Sequence, residues 1–292
     1  MNEEDMCGRF VYIQAYIDDP KSEGELKVWK HNRFRWFDRM ILNNEIALRK
    51  SMPYLANQKN TPLCGMAAIN YLLAKQNFDL YEKFVKELHR TGYFKFKNYI
   101  VDVEKSSKHL LEMNPLVNKL YPSDYQGIMP YCDWISFSSI RNQENALRDY
   151  DGEDDFGLDG ATLPNEIVKL MKGILGYTNV VDNSNLAFNK GTLPWDGEDC
   201  SAREIAKMEE LKNQGYSVVM LINTKMINYV TEKVNGKLQI KMKKTDTGKL
   251  RKEMGVKSGF FSTIEHWVVF EEIIGGTINA DEFDFKIFTW GN

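Results

Sequence analysis

Between Cys64 and Lys75 the apolar residues Ala68 and Leu72, with Ile69 and Leu73 beside them, recur at helical spacing, and Pro62 stands just ahead of the first turn. The pattern predicts a helix with Cys64 at its N-terminus. Phe78 to Arg90 repeats the period and is closed by Gly92, and Trp134 to Tyr150 predicts a further helix after a loop holding Pro122 and Pro130. Beyond Pro164, Asn165 to Gly176 is amphipathic, and Ser201 to Asn213 carries a cap at Ser201 with Glu204 three residues on. The first fifty residues mix aromatic and basic side chains (Trp29, Lys30, His31, Arg33, Phe34, Arg35, Trp36, Phe37), then run from Met40 to Leu48 at roughly helical spacing. This predicts an N-terminal arm over residues 1–50, and a helix that ends near Pro53.

The second half changes period. Ser217 to Asn223 is an apolar run of strand length, and Tyr229–Val234 and Lys237–Met242 flank Asn235-Gly236, the signal of a two-residue hairpin turn. Glu265 to Ile274 and Phe283 to Trp290 predict a second antiparallel pair. Helices first and a sheet last predict an α+β fold rather than an alternating α/β one. One catalytic-size domain, residues 51–292, follows the arm.

Composition narrows the function. The chain of 292 residues is 43% hydrophobic, enough for a packed core, and its net charge of −3 offers no basic excess for nucleic acid. No apolar run approaches the roughly 20 residues of a membrane span, and the acidic start lacks a signal-peptide pattern. The expected location is therefore the cytoplasm, or outside the cell by a route that needs no signal peptide. Cys7, Cys64, Cys132 and Cys200 are widely scattered, which predicts a reducing compartment with neither a disulfide scaffold nor a metal cluster. No cofactor is expected. The acidic stretch Asp149 to Gly160 fails as a calcium loop, because its sixth and twelfth positions are Asp154 and Gly160 where Gly and Glu are required. It reads as a solvated loop.

A cysteine at a helix N-terminus is placed where unpaired N–H groups and the helix dipole favour a thiolate. Gln58 precedes Cys64 by six positions, across Lys59-Asn60-Thr61-Pro62-Leu63. From there its amide can reach back beside the thiol and donate, with the Cys64 N–H, to a developing oxyanion. At these residues the chain resembles the papain-like cysteine peptidases, and is most similar to the branch containing the bacteriocin-processing (C39-type) peptidases, where a Gln is followed by Cys-Gly at the start of the central helix. The resemblance continues with the helix Glu204–Asn213, Gly215 and the apolar strand from Ser217, then Glu265-His266-Trp267-Val268-Val269, then Trp290-Gly291. It implies a papain-like fold in which a nucleophile helix packs on a C-terminal antiparallel sheet, with Cys64 as nucleophile, His266 as general base and Gln58 as oxyanion donor.

His266 opens a β-run, whereas His31, His89 and His109 are expected at solvated surfaces. The family's third group, an Asn or Asp that orients the histidine, has no clear counterpart. A papain register puts Phe288 there, and the C39-like register puts Thr289 there. Strand alternation makes Asp284 a second candidate, while Asn292 falls beyond the strand. A plain Cys–His dyad remains open. The separation of Cys64 and His266 is long for these families, which implies a helical insertion at about residues 78–160. The function implied is hydrolysis of a peptide or amide bond in a protein or peptide substrate, and the organisation resembles bacterial effector and toxin proteases. The alternatives are an inactive papain-like binding module and a glutamine deamidase or transglutaminase-like enzyme. Oligomeric state is unspecified by the sequence.

Overall fold

The computed structural model describes residues 4–18, 23–59, 61–115, 129–145, 162–182, 200–223, 229–234, 237–242, 265–276 and 283–289. It divides into two compact units, Met1–Asp182 and Asn183–Thr289. Helix and sheet are both well represented, with helices grouped in the first unit and most strands in the second.

The first unit opens on a hairpin of β1 (Arg9–Ala15) and β2 (Gly24–Lys30), paired from Arg9↔Lys30 to Ala15↔Gly24. Helix α1 (Arg39–Ser51) begins where the Asp38 carboxylate accepts from the Met40 and Ile41 N–H groups. At the centre lies α2 (Cys64–Gln76), on which every side chain from Cys64 to Ala74 is buried. A helix apolar on all sides must be surrounded, and α2 packs against α1, α3 (Phe78–Thr91), α5 (Tyr131–Glu144) and α6 (Pro164–Gly173). Gly92, left-handed at φ 70°, ends α3. Short strands β3 (Tyr93–Lys95) and β4 (Ile100–Asp102) and the one-turn helix α4 (Val103–Ser106) complete the unit. The aromatic core joins distant segments: Phe37 stacks on Trp134 at 5.0 Å, and Phe34 meets both edge-on.

These contacts redraw the boundaries read from the sequence. Residues 1–50 do not form a separate arm, because α1 packs on α2, α3 and α5 and because Phe34 and Phe37 are fully buried. The stretch assigned to an insertion, 78–160, supplies α3 and α5, two walls around α2. Helix α5 starts at Tyr131, three residues before the expected Trp134, since Pro130 serves as its N-cap. The acidic segment 149–160 lies outside the described residues.

In the second unit, α7 (Cys200–Asn213) packs on β5 (Val218–Asn223) and β8 (Glu265–Gly276). The helix begins one residue before the cap expected at Ser201. With β9 (Phe283–Phe288), these strands make an antiparallel sheet of order β5-β8-β9. Two register shifts interrupt the β8–β9 ladder, between Phe270 and Glu272 and between Ile273 and Gly275. Strands β6 (Tyr229–Val234) and β7 (Lys237–Met242) pair as the hairpin the Asn235-Gly236 signal predicts, with Val234 opposite Lys237. Among the described residues no helix is long and apolar enough to cross a membrane.

Candidate active site

Cys64 is the first residue of α2, and the chain reaches it through a tightly stitched loop. The Gln58 carbonyl accepts from Thr61 twice, from the backbone N–H at 3.2 Å and from Oγ1 at 2.6 Å. The Gln58 side chain answers by donating from Nε2 to the Thr61 carbonyl at 2.7 Å. Between them Lys59 is held left-handed at φ 53°, and its N–H donates to Asn57 Oδ1 at 2.7 Å. A non-glycine residue in that region costs about 1–2 kcal/mol, so the surrounding hydrogen bonds over-determine this turn. Leu63, fully buried, anchors the loop's last step into the helix.

Gln58 is 4% exposed, and its Oε1 is buried with no hydrogen-bond partner. Its amide therefore already spends one N–H on its own loop and keeps a second. Cys64 is buried at 8% exposure and is a thiol rather than half of a disulfide. The residue after it must be glycine: a Cβ built at Gly65 would stand 2.5 Å from Thr162 Oγ1 and 2.6 Å from Thr162 Cβ. This close approach gives the Cys-Gly pair a packing reason independent of any family likeness.

In the second unit, His266 sits on β8, the central strand of the three, directly across from Ile222. Residues His266 to Phe270 are all buried. The His266 Nε2 lies 2.7 Å from Thr289 Oγ1. Thr289 follows Phe288, whose partner is Val269, so the hydroxyl reaches His266 diagonally across the ladder. Burial lowers the imidazole pKa from its ordinary value to about 4, leaving the ring neutral near pH 7.

Of the two candidates for the orienting group, the structure brings Thr289 to the histidine. Asp284 pairs with Gly275, nine residues along β8 from His266, which at about 3.3 Å per residue is roughly 30 Å away. Phe288 is buried at 3% exposure. Trp290, Gly291 and Asn292 lie outside the described residues. His31 and His109 are exposed as expected. His89 is not: it is fully buried, with Nε2 2.9 Å from the Phe37 carbonyl and Nδ1 3.1 Å from both Asn32 Nδ2 and Arg39 Nη1. Cys7 and Cys132 are buried packing thiols. Two surface grooves of the first unit, about 300 and 660 Å³, are lined by residues such as Lys97, Tyr99 and Lys169 and not by Gln58 or Cys64.

The sequence reading passed over a buried polar cluster beneath the Gln58 loop. Arg49 and Asp133 form an ion pair at 2.6 Å, exposed by only 3% and 0%. Asp133 interrupts the apolar run Cys132-Asp133-Trp134-Ile135, and that interruption is the one signal of the cluster in the sequence. Compared with models of protein families, with curated proteins and with solved structures, the chain finds no match.

Proposed function

We propose that the chain is a cysteine-dependent hydrolase with a papain-like fold, a peptidase or amidase similar to the C39-type branch. The observation that carries this reading is the 2.7 Å bond between His266 Nε2 and Thr289 Oγ1. With Nε2–H donating to the hydroxyl, Nδ1 holds the lone pair, and a buried neutral imidazole is the form able to accept a proton.

In the proposed reaction Nδ1 of His266 takes the Cys64 thiol proton, and the sulfur attacks the substrate carbonyl. The second N–H of Gln58 and the backbone N–H of Cys64 stabilise the oxyanion. The imidazolium then protonates the leaving amine, a thioester forms, and water activated by the same ring releases the acid. The substrate is a peptide, isopeptide or side-chain amide bond of a protein or peptide. A binding module would have no use for the set of Gln58, Cys64 and His266 that the proposed reaction employs.

The test is the pH dependence of Cys64 alkylation by iodoacetamide, followed by mass spectrometry. Wild type should react faster than a free thiol well below the ordinary cysteine pKa of about 8.5, and His266→Ala should return the profile to that value. Identical profiles with and without His266 would make Cys64 a packing residue and end the hydrolase reading.

A further inference from the structure

The buried Arg49–Asp133 pair sits where three segments meet. Glu45 and Arg49, one turn apart on α1, both reach the first turn of α5: Glu45 Oε2 accepts from the Cys132 N–H at 2.9 Å, and Arg49 Nη2 donates to Asp133 Oδ2 at 2.6 Å. The same Asp133 Oδ2 accepts from the backbone N–H of Asn57 at 2.9 Å, while Oδ1 lies 3.6 Å from the Cys132 sulfur. Asn57 in turn holds the Lys59 N–H through its own Oδ1. Residue 58, between these two tethered positions, is the glutamine.

A buried ion pair is a poor device for stability alone, since the cost of taking both charges out of water cancels most of their attraction and apolar replacements often serve as well. Here the cost is visible: burial pushes the Asp133 carboxyl above its ordinary value against the pull of Arg49, and Arg49 Nε is buried with no hydrogen-bond partner. What an apolar pair could not do is accept the Asn57 N–H.

We infer that Asp133, clamped by Arg49, is a positioning residue that holds the Asn57–Thr61 loop so that the Gln58 amide is aimed at the oxyanion formed on Cys64. The inference rests on the hydrolase reading above. It places the control of the oxyanion donor on α1 and α5, two elements that carry no reacting group.

The experiment compares two rates at Cys64 in the full chain. Acylation by p-nitrophenyl acetate passes through an oxyanion, and alkylation by iodoacetamide does not, so their ratio reads the oxyanion donor. Arg49→Leu/Asp133→Asn removes both charges but keeps a carbonyl for the Asn57 N–H, and should hold the ratio within about threefold of wild type. Arg49→Leu/Asp133→Leu removes the acceptor as well and should lower the ratio about 10- to 100-fold with alkylation unchanged, approaching Gln58→Ala. Should the double leucine variant fail to fold, Asn57→Pro deletes the N–H and leaves the ion pair in place; because it also deletes the Oδ1 that holds the Lys59 N–H, Asn57→Ala is its control, and the same fall is expected relative to Asn57→Ala. An acylated wild type whose folded Leu/Leu variant keeps the ratio, or whose folded Asn57→Pro variant keeps that of Asn57→Ala, overturns the inference alone. A wild type that is alkylated but not acylated at Cys64 overturns the hydrolase reading and the inference with it.

Discussion

Thr162 lies against the backbone of Gly65, so close that its Oγ1, Cβ and Cγ2 would all fall within 2.5–2.7 Å of a methyl group placed there. The contact locks the chain just ahead of α6 onto the first turn of α2, one residue past the proposed nucleophile. Gly65→Ala should therefore destabilise the first unit by about 1–3 kcal/mol, the usual cost of overpacking a filled site. Thr162→Gly removes every clashing atom, so the pair of substitutions should cost less than the sum of the two alone, measured by denaturant unfolding. Simple additivity would mean that the segment at Thr162 moves aside freely.

A second expectation concerns the buried His89. Burial lowers its pKa to about 4, with Arg39 pushing the same way and the Phe37 carbonyl and Asp38 opposing. The unfolded value is about 6.5, so the unfolded chain binds the proton more readily. Stability is then complete above pH 6.5 and is lost as pH falls toward 4, by about 3 kcal/mol from this group. The neutral tautomer explains the geometry, since Nε2–H donates to Phe37 while Nδ1 accepts from Asn32 and Arg39. His89→Gln should lower stability at pH 7.5 and flatten its fall between pH 6.5 and 4. Part of the fall should persist, because burial lowers His266 into the same window. An unchanged slope would show that His89 is not the group responsible.

His89 also shows where a sequence stops being informative. Its immediate neighbours Leu88 and Arg90 and the amphipathic period of α3 leave its face ambiguous, and the three groups that hydrogen-bond it come from a segment fifty to fifty-seven positions earlier. Helices α2, α3 and α6 were legible because caps, prolines and apolar period agree locally. The hairpin β6–β7 was legible for the same reason, its turn chemistry standing between its strands. Strands β1 and β2 were not: Phe10, Tyr12, Ile13, Leu26 and Val28 are all exposed apolar residues, so no alternation of buried and solvated positions marks the hairpin.

The candidate site divides along the same line. Gln58, Cys64 and the Gly after it form one local unit, and the spacing that singles them out is explained by a turn stitched by hydrogen bonds among residues 57, 58, 59 and 61, with one outside tether from the Asn57 N–H to Asp133. The choice between Thr289 and Asp284 depends on the register of β9 on β8. Alternation fixes faces but not register, and the two shifts in that ladder move every pairing beyond them. Arg49 and Asp133 are far apart in sequence and meet only because α1 packs on α5.

The orienting role of Thr289 gives the last prediction. If its hydroxyl accepts from His266 Nε2–H, the ring is held in the tautomer whose lone pair is on Nδ1, the nitrogen proposed to take the thiol proton. Thr289→Val preserves shape and removes the acceptor, so the Nδ1–H tautomer, which cannot accept a proton at that position, becomes populated. One ordinary hydrogen bond is worth about 1 kcal/mol, and acylation of Cys64 should slow by about 5- to 10-fold. Thr289→Ser keeps the hydroxyl and should stay within about twofold of wild type. Asp284→Asn, lying opposite Gly275 and far along the strand, should leave the rate unchanged. Equal rates for the Thr289 variants would show that His266 takes its orientation from packing on β8, and a loss confined to Asp284→Asn would require a register different from the Gly275 pairing described here.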